Sequence, residues 1–209
     1  MKHILATRAS FDDDILFRKY YEVMKDVYIP SVANQTNKDF TLYLIVNEQH
    51  KKFLEDEFLK HGLKIKTIVG KAKQYTYHIR DNPIEIQTRH DCDDWMAPTY
   101  MEEIRVACEE KAKTSESFLV QAQPTKMDYL TKEEYGMHPY HETRVSMFVS
   151  LYQKSGNISI LAHSHTQFYT HVPTVYSLKD GLVKWVIHGN NTEGTITDQD
   201  RRKYIYKSL

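Results

Sequence analysis

Cysteine, net charge and long apolar runs are all scarce in this sequence, and each scarcity excludes something. Only two of the 209 residues are cysteine, Cys92 and Cys108. That is too few for a disulfide framework and points to a reducing compartment. The 28 Lys and Arg residues balance 28 Asp and Glu, so the net charge is zero. Proteins whose main task is to neutralise phosphate backbones are basic, which argues against bulk nucleic-acid binding. No apolar run approaches the ~18 residues of a membrane span. The opening MKHILATRASFDDD has too short an apolar core and too many acids for a secretory leader. These absences predict a soluble, cytoplasmic protein. No repeat or low-complexity linker divides the chain, and its length predicts one domain with a sizeable core.

What is present alternates between two periodicities. HILATR (3–8), FTLYLIV (40–46), LKIKTIV (63–69) and IEIQTR (84–89) are short apolar or β-branched runs and predict strands. Between the first two, Ile15, Leu16, Tyr20, Val23, Met24 and Val27 recur at helical spacing. Pro30 is expected to break or kink that helix. EQHKKFLEDEFLKHG predicts a second helix, with Phe53, Leu54, Phe58 and Leu59 inward and Gly62 as its stop. KAKQYTYHIR reads as solvated basic surface or as a mobile loop. Strands separated by helices predict βαβ units: an α/β fold with a mostly parallel central sheet and helices on both faces. Past residue 114 the pattern turns β-rich. SFLVQAQ (117–123) is strand-like, and two hairpins are expected, turning at Gly156-Asn157 and near Asp180-Gly181. The chain reads as a single domain over 1–209, with an α/β half (1–113) and a β-rich half (114–209).

The most informative stretch is IQTRHDCDDWMAP (86–98), where Asp91, Asp93 and Asp94 crowd into four positions. One aspartate can cap the helix predicted from about Pro98 to Lys113, and a second can favour its dipole. A third has no such use. Mg²⁺ and Mn²⁺ prefer carboxylate oxygens, one or two from protein with the rest from water and phosphate. A D-x-D-D loop after a strand therefore suits a cation that bridges a diphosphate, in the place where α/β sheets bind ligands. Arg89 and Arg8 would offer planar donors to phosphate or to the cluster.

These residues resemble the GT-A class of nucleotide-sugar glycosyltransferases, and most closely its rhamnosyltransferase family. HILATR with the helix and strand after it, PSVANQTNKDF (30–40), TRHDCDDW (88–95) and WVIHGNN (185–191) carry the resemblance. It implies a metal-dependent transfer of a sugar from a nucleoside diphosphate sugar to an acceptor hydroxyl. It implies that Asp91 and Asp93 of the DXD-type motif lie by the donor, that Asp93, Asp94 and His188 hold Mn²⁺ or Mg²⁺, and that Thr7 and Arg8 open onto the nucleotide. Many relatives carry an acid after the second strand; here Asn47 stands there, as a candidate contact to the base. Glu142, His138 and His141 in GMHPYHETR are candidates for the base that deprotonates the acceptor.

Two other readings stay open. His163, His165 and His171 cluster in AHSHTQFYTH, and an H-x-H on a strand points both rings to one face, as some zinc hydrolases require. A metal-dependent phosphohydrolase or nuclease is therefore one alternative, and a non-catalytic module on the same fold another. HGNN can also be a simple turn.

Overall fold

The computed structural model describes residues 1–11, 13–135, 146–156, 158–162, 171–172 and 174–189. The expected α/β order appears. Strand β1 (His3–Ala9) leads to α1 (Asp14–Val23), whose cap is Asp13, with a carboxylate that accepts from the Leu16 N–H at 2.7 Å. Pro30 does not end this helix. A π-helical turn over Met24–Tyr28 carries the chain into α2 (Ile29–Ala33), with the Ile29 N–H bonded back to the Met24 carbonyl. The wider turn accommodates a proline that has no N–H to offer the ladder. Then follow β2 (Thr41–Val46), α3 (Glu48–Lys60), β3 (Ile65–Val69), α4 (Ala72–Asp81), β4 (Ile86–Arg89), β5 (Trp95–Met96) and α5 (Tyr100–Lys111). KAKQYTYHIR is therefore a helix, α4, and not a loop: Tyr75 and Ile79, four apart, bury one face of it. In α3 the buried apolar residues are Leu54 and Phe58, while Phe53 and Leu59 are exposed.

The second half adds β6 (Ser117–Ala122), β7 (Thr125–Asp128), β8 (Glu134–Tyr135), β9 (Phe148–Gln153), β10 (Val175–Ser177) and β11 (Val183–Ile187). One sheet has the order β10-β6-β9-β4-β1-β2-β3. Only β9 runs against its neighbours, antiparallel to both β4 and β6. It is buried along its whole length, as a central strand must be. A smaller sheet has the order β5-β11-β7-β8.

Neither expected hairpin appears among the described residues. After β9 the described residues 158–162 hold no strand, and Gly156 instead presents its carbonyl to the Ile84 N–H at 2.8 Å. β10 and β11 flank Asp180-Gly181 but belong to different sheets, pairing with β6 and with β5 and β7 respectively. The connection thus passes from one sheet to the other. Two cores flank the large sheet. Residues of α1, α3 and α5 share one, including the stripe Met101, Ile104 and Cys108; Tyr75 and Ile79 of α4 lie in the other. A small third cluster of Val23, Val27, Met127 and Val186 joins α1 and the π turn to the second sheet.

Candidate active site

β4 lies beside β1, with Arg89 in register with Ala6, and the chain leaves the sheet at His90. The His90 N–H still bonds the Ala6 carbonyl at 3.2 Å. The His90 ring is buried between Tyr28 and Phe148, and its Nδ1 donates to the Asp91 carbonyl at 3.0 Å. Burial lowers its pKa to about 4, so it is a neutral strut beneath the acidic turn.

The three carboxylates diverge in environment. Asp91 is half-buried, 3.8 Å from the Arg89 guanidinium. Asp93 is 8% exposed, and its Oδ2 lies 3.0 Å from His188 Nε2 at the end of β11. The Tyr20 ring packs nearly perpendicular to that imidazole, with centroids 4.9 Å apart. Asp94 is 2% exposed, and its Oδ1 accepts the Val186 N–H of β11 at 2.9 Å. Burial, more than any neighbour, pushes the Asp93 carboxyl up, with His188 pulling the other way and Asp91 adding to the rise. Burial pushes the Asp94 carboxyl up further, reinforced by Asp93 and Asp91. Neither aspartate caps α5. Thr99 stands at that cap, and β5 separates the acids from the helix.

The surrounding candidates divide by exposure. Thr7 is fully buried and its hydroxyl meets Tyr28 Oη, so it props the π turn. Arg8, the next residue, is exposed, and its charge reaches Tyr20 and Cys92. The Asn47 Nδ2 donates to the Phe11 carbonyl at 2.6 Å, pinning the loop between β1 and α1. Gln35 carries a role the sequence did not reveal. Buried to 2%, it donates to the Ala97 carbonyl at 2.7 Å and accepts from the Met101 N–H at 3.0 Å. It thereby fixes the segment that leaves the acidic turn and satisfies an N–H of the first helical turn of α5. Tyr20 was also missed as a site residue; helical spacing marks it as inward-facing but gives no hint of what it faces. His138, His141, Glu142, His163 and His165 lie outside the described residues. Among the described residues no group of three or more His, Cys, Asp or Glu side chains converges to hold a metal.

A family model described as "Putative rhamnosyl transferase" matches residues 4–199. The chain belongs to this family. No curated protein matches the sequence. Among solved structures it resembles TarS of S. aureus, residues 1–349, at 12% identity and a TM-score of 0.56, over 89% of this chain and 60% of that one. The same TarS segment in complex with UDP-GlcNAc matches at 11% identity and a TM-score of 0.56, over 92% and 60%. In complex with UDP it matches at 12% identity and a TM-score of 0.58, over 90% and 61%. The chain thus spans about three-fifths of the TarS segment it resembles. At such identity the likeness establishes the fold, which is GT-A-like.

Proposed function

We propose that this chain is a glycosyltransferase that takes its sugar from a nucleoside diphosphate donor and passes it to an acceptor hydroxyl. The observation that carries the reading is the acidic turn itself. Asp91 and Asp93 stand at the carboxyl end of β4, beside the exposed Arg8 of β1, where open α/β sheets receive ligands. Family membership supports the reaction class, and the TarS complexes with UDP-GlcNAc and UDP support a uridine nucleotide as the first donor to try.

The donor set fits a hard divalent cation, Mn²⁺ or Mg²⁺. Burial pushes the Asp93 carboxyl up against the pull of His188, so a further positive charge beside it is favourable, and oxygen ligands suit those ions. Asp91 and Asp93 would hold the cation, leaving other positions to water and diphosphate. Asp94 is the least exposed of the three and is committed to the Val186 N–H, so its task is to hold the turn against β11. A cation bound there would offset the charge that develops on the departing diphosphate. Arg8 offers a second, permanent positive charge to the same group. His188 fixes the orientation of the Asp93 carboxylate, as partners behind metal ligands do.

The test is calorimetric titration of UDP with and without Mn²⁺ on the wild type, Asp91→Asn and Asp93→Asn. Binding that requires the metal and falls at least ~10-fold in either variant is expected, since ligand-shell losses usually cost that much. Equal binding by all three proteins, or none by the folded wild type for UDP, GDP or dTDP, would overturn the donor-site reading.

A further inference from the structure

The chain is neutral overall, but its charge is unevenly placed. Residues 59–80 contain Lys60, Lys64, Lys66, Lys71, Lys73 and Arg80 and no Asp or Glu. On α4, Lys73, Tyr77 and Arg80 are spaced i, i+4, i+7, so they share one face opposite the buried Tyr75 and Ile79. All three are exposed, Tyr77 by 44%. Its ring lies between the two cations, 5.5 Å from Lys73 Nζ and 5.3 Å from the Arg80 guanidinium. Lys66 of β3 joins this side of the sheet, 5.6 Å over the Tyr43 ring, which itself packs on Tyr75 and His78 of α4. At the foot of the face a cavity of about 680 Å³ is lined in part by Lys2, Lys38, Tyr43, Lys66 and Asn82.

Among the described residues, two of these six cations have an acid beside them: Lys60 pairs with Glu57, and Arg80 lies 3.4 Å from Asp81. At the cavity Asp39 is paired with Arg105, and Glu85 accepts the Lys2 backbone N–H. β3 is an edge strand, and lysines on an edge deter pairing with another chain. That accounts for Lys66 but not for the α4 stripe, which is on no sheet edge.

We infer that the α4–β3 face docks this protein on an anionic lipid surface. The cations are strung along a helix and the strand beside it rather than converging on one point, which suits a charged plane better than a small ion. Tyr77 adds an amphipathic ring of the kind favoured at membrane interfaces. Among the described residues no helix is long and apolar enough to cross a membrane, so docking here is peripheral. The inference is independent of the donor-site reading.

The experiment is co-sedimentation of the full chain with vesicles of phosphatidylcholine alone and of equal parts phosphatidylcholine and phosphatidylglycerol. Binding is expected only to the anionic vesicles and weakens as salt rises. The triple change Lys66→Gln, Lys73→Gln, Arg80→Gln lowers the partition coefficient by ~100-fold, from ~5-fold per cation at a lipid surface. Lys25→Gln, Lys51→Gln, Lys154→Gln, a variant of the same net charge, retains most of the binding. Equal binding to both vesicle types, equal loss in both triple variants, or no vesicle binding beside tight binding of soluble polyphosphate would each overturn the inference.

Discussion

Asp94 can be separated into two contributions by two substitutions. The carboxylate accepts the Val186 N–H at 2.9 Å across 92 residues of sequence, so it is one of the ties that hold β11 against the acidic turn. Asp94→Asn keeps an oxygen for that N–H and removes the charge; Asp94→Ala removes both. The difference between the variants therefore isolates the hydrogen bond together with a little packing, about 1–3 kcal/mol for a buried acceptor. In a chain of this size that is ~2–12 °C in Tm. The difference between wild type and the Asn variant isolates the charge. Folding raises the Asp94 pKa, so the folded protein holds this proton more tightly than the unfolded chain. Stability from this group is then present in acid and is lost as pH rises from the unfolded value of about 4 through the folded one. The Asn variant, which imitates the protonated acid, should melt at or above the wild type at pH 8 and converge with it near pH 4. Differential scanning calorimetry at the two pH values reads both effects. Should the Asn variant melt as low as the Ala variant at pH 8, the tie to β11 is not what Asp94 supplies. A loss of metal-supported UDP binding in a well-folded Asn variant would return Asp94 to the cation.

Three further outcomes are expected. His188→Ala should weaken Mn²⁺-supported UDP binding by at least ~10-fold, because Asp93 loses the imidazole that orients it; unchanged affinity by calorimetry would remove His188 from the site. Burial lowers the His3 pKa to about 3, so the unfolded chain takes up this proton first as pH falls below 6.5. Stability should drop with acid by up to ~1.4 kcal/mol per pH unit from this group, and urea midpoints measured from pH 7 to 4 should fall less steeply in His3→Gln. At Gly156 φ is +62°, and an added Cβ would sit 2.7 Å from the Ile84 backbone. Gly156→Ala should therefore cost well over the ~1 kcal/mol expected of Gly62→Ala, whose φ is +72° but whose Cβ would meet nothing; equal Tm losses would contradict this.

Much of the first half was legible because its signals are local. β2 is a run of aliphatic and β-branched residues that can only be satisfied inside a sheet, and Met101, Ile104 and Cys108 repeat at a period that only a helix buries on one side. α4 was missed because Lys73, Tyr77 and Arg80 mask a buried stripe of only two residues. The second half was legible as strands but not as pairings. β9 reads as one arm of a hairpin, yet it inserts between β4 and β6, and Gly156 beyond its end presents its carbonyl to the Ile84 N–H. A strand records its own burial in its side chains; it carries no local record of its neighbour.

The site shows the same division. The sequence by itself determined that three carboxylates follow a buried strand, because charge density and strand pattern are properties of adjacent residues. Only the tertiary structure decided what each carboxylate does. Asp93 meets His188 and Asp94 meets the Val186 N–H from 95 and 92 residues away, so burial and partner come from an element distant in the chain. Asp91 is left as the most accessible of the three because no such partner covers it to the same degree. Identical side chains acquire different roles when desolvation and hydrogen bonding differ, and those are fixed by contacts across the chain rather than along it.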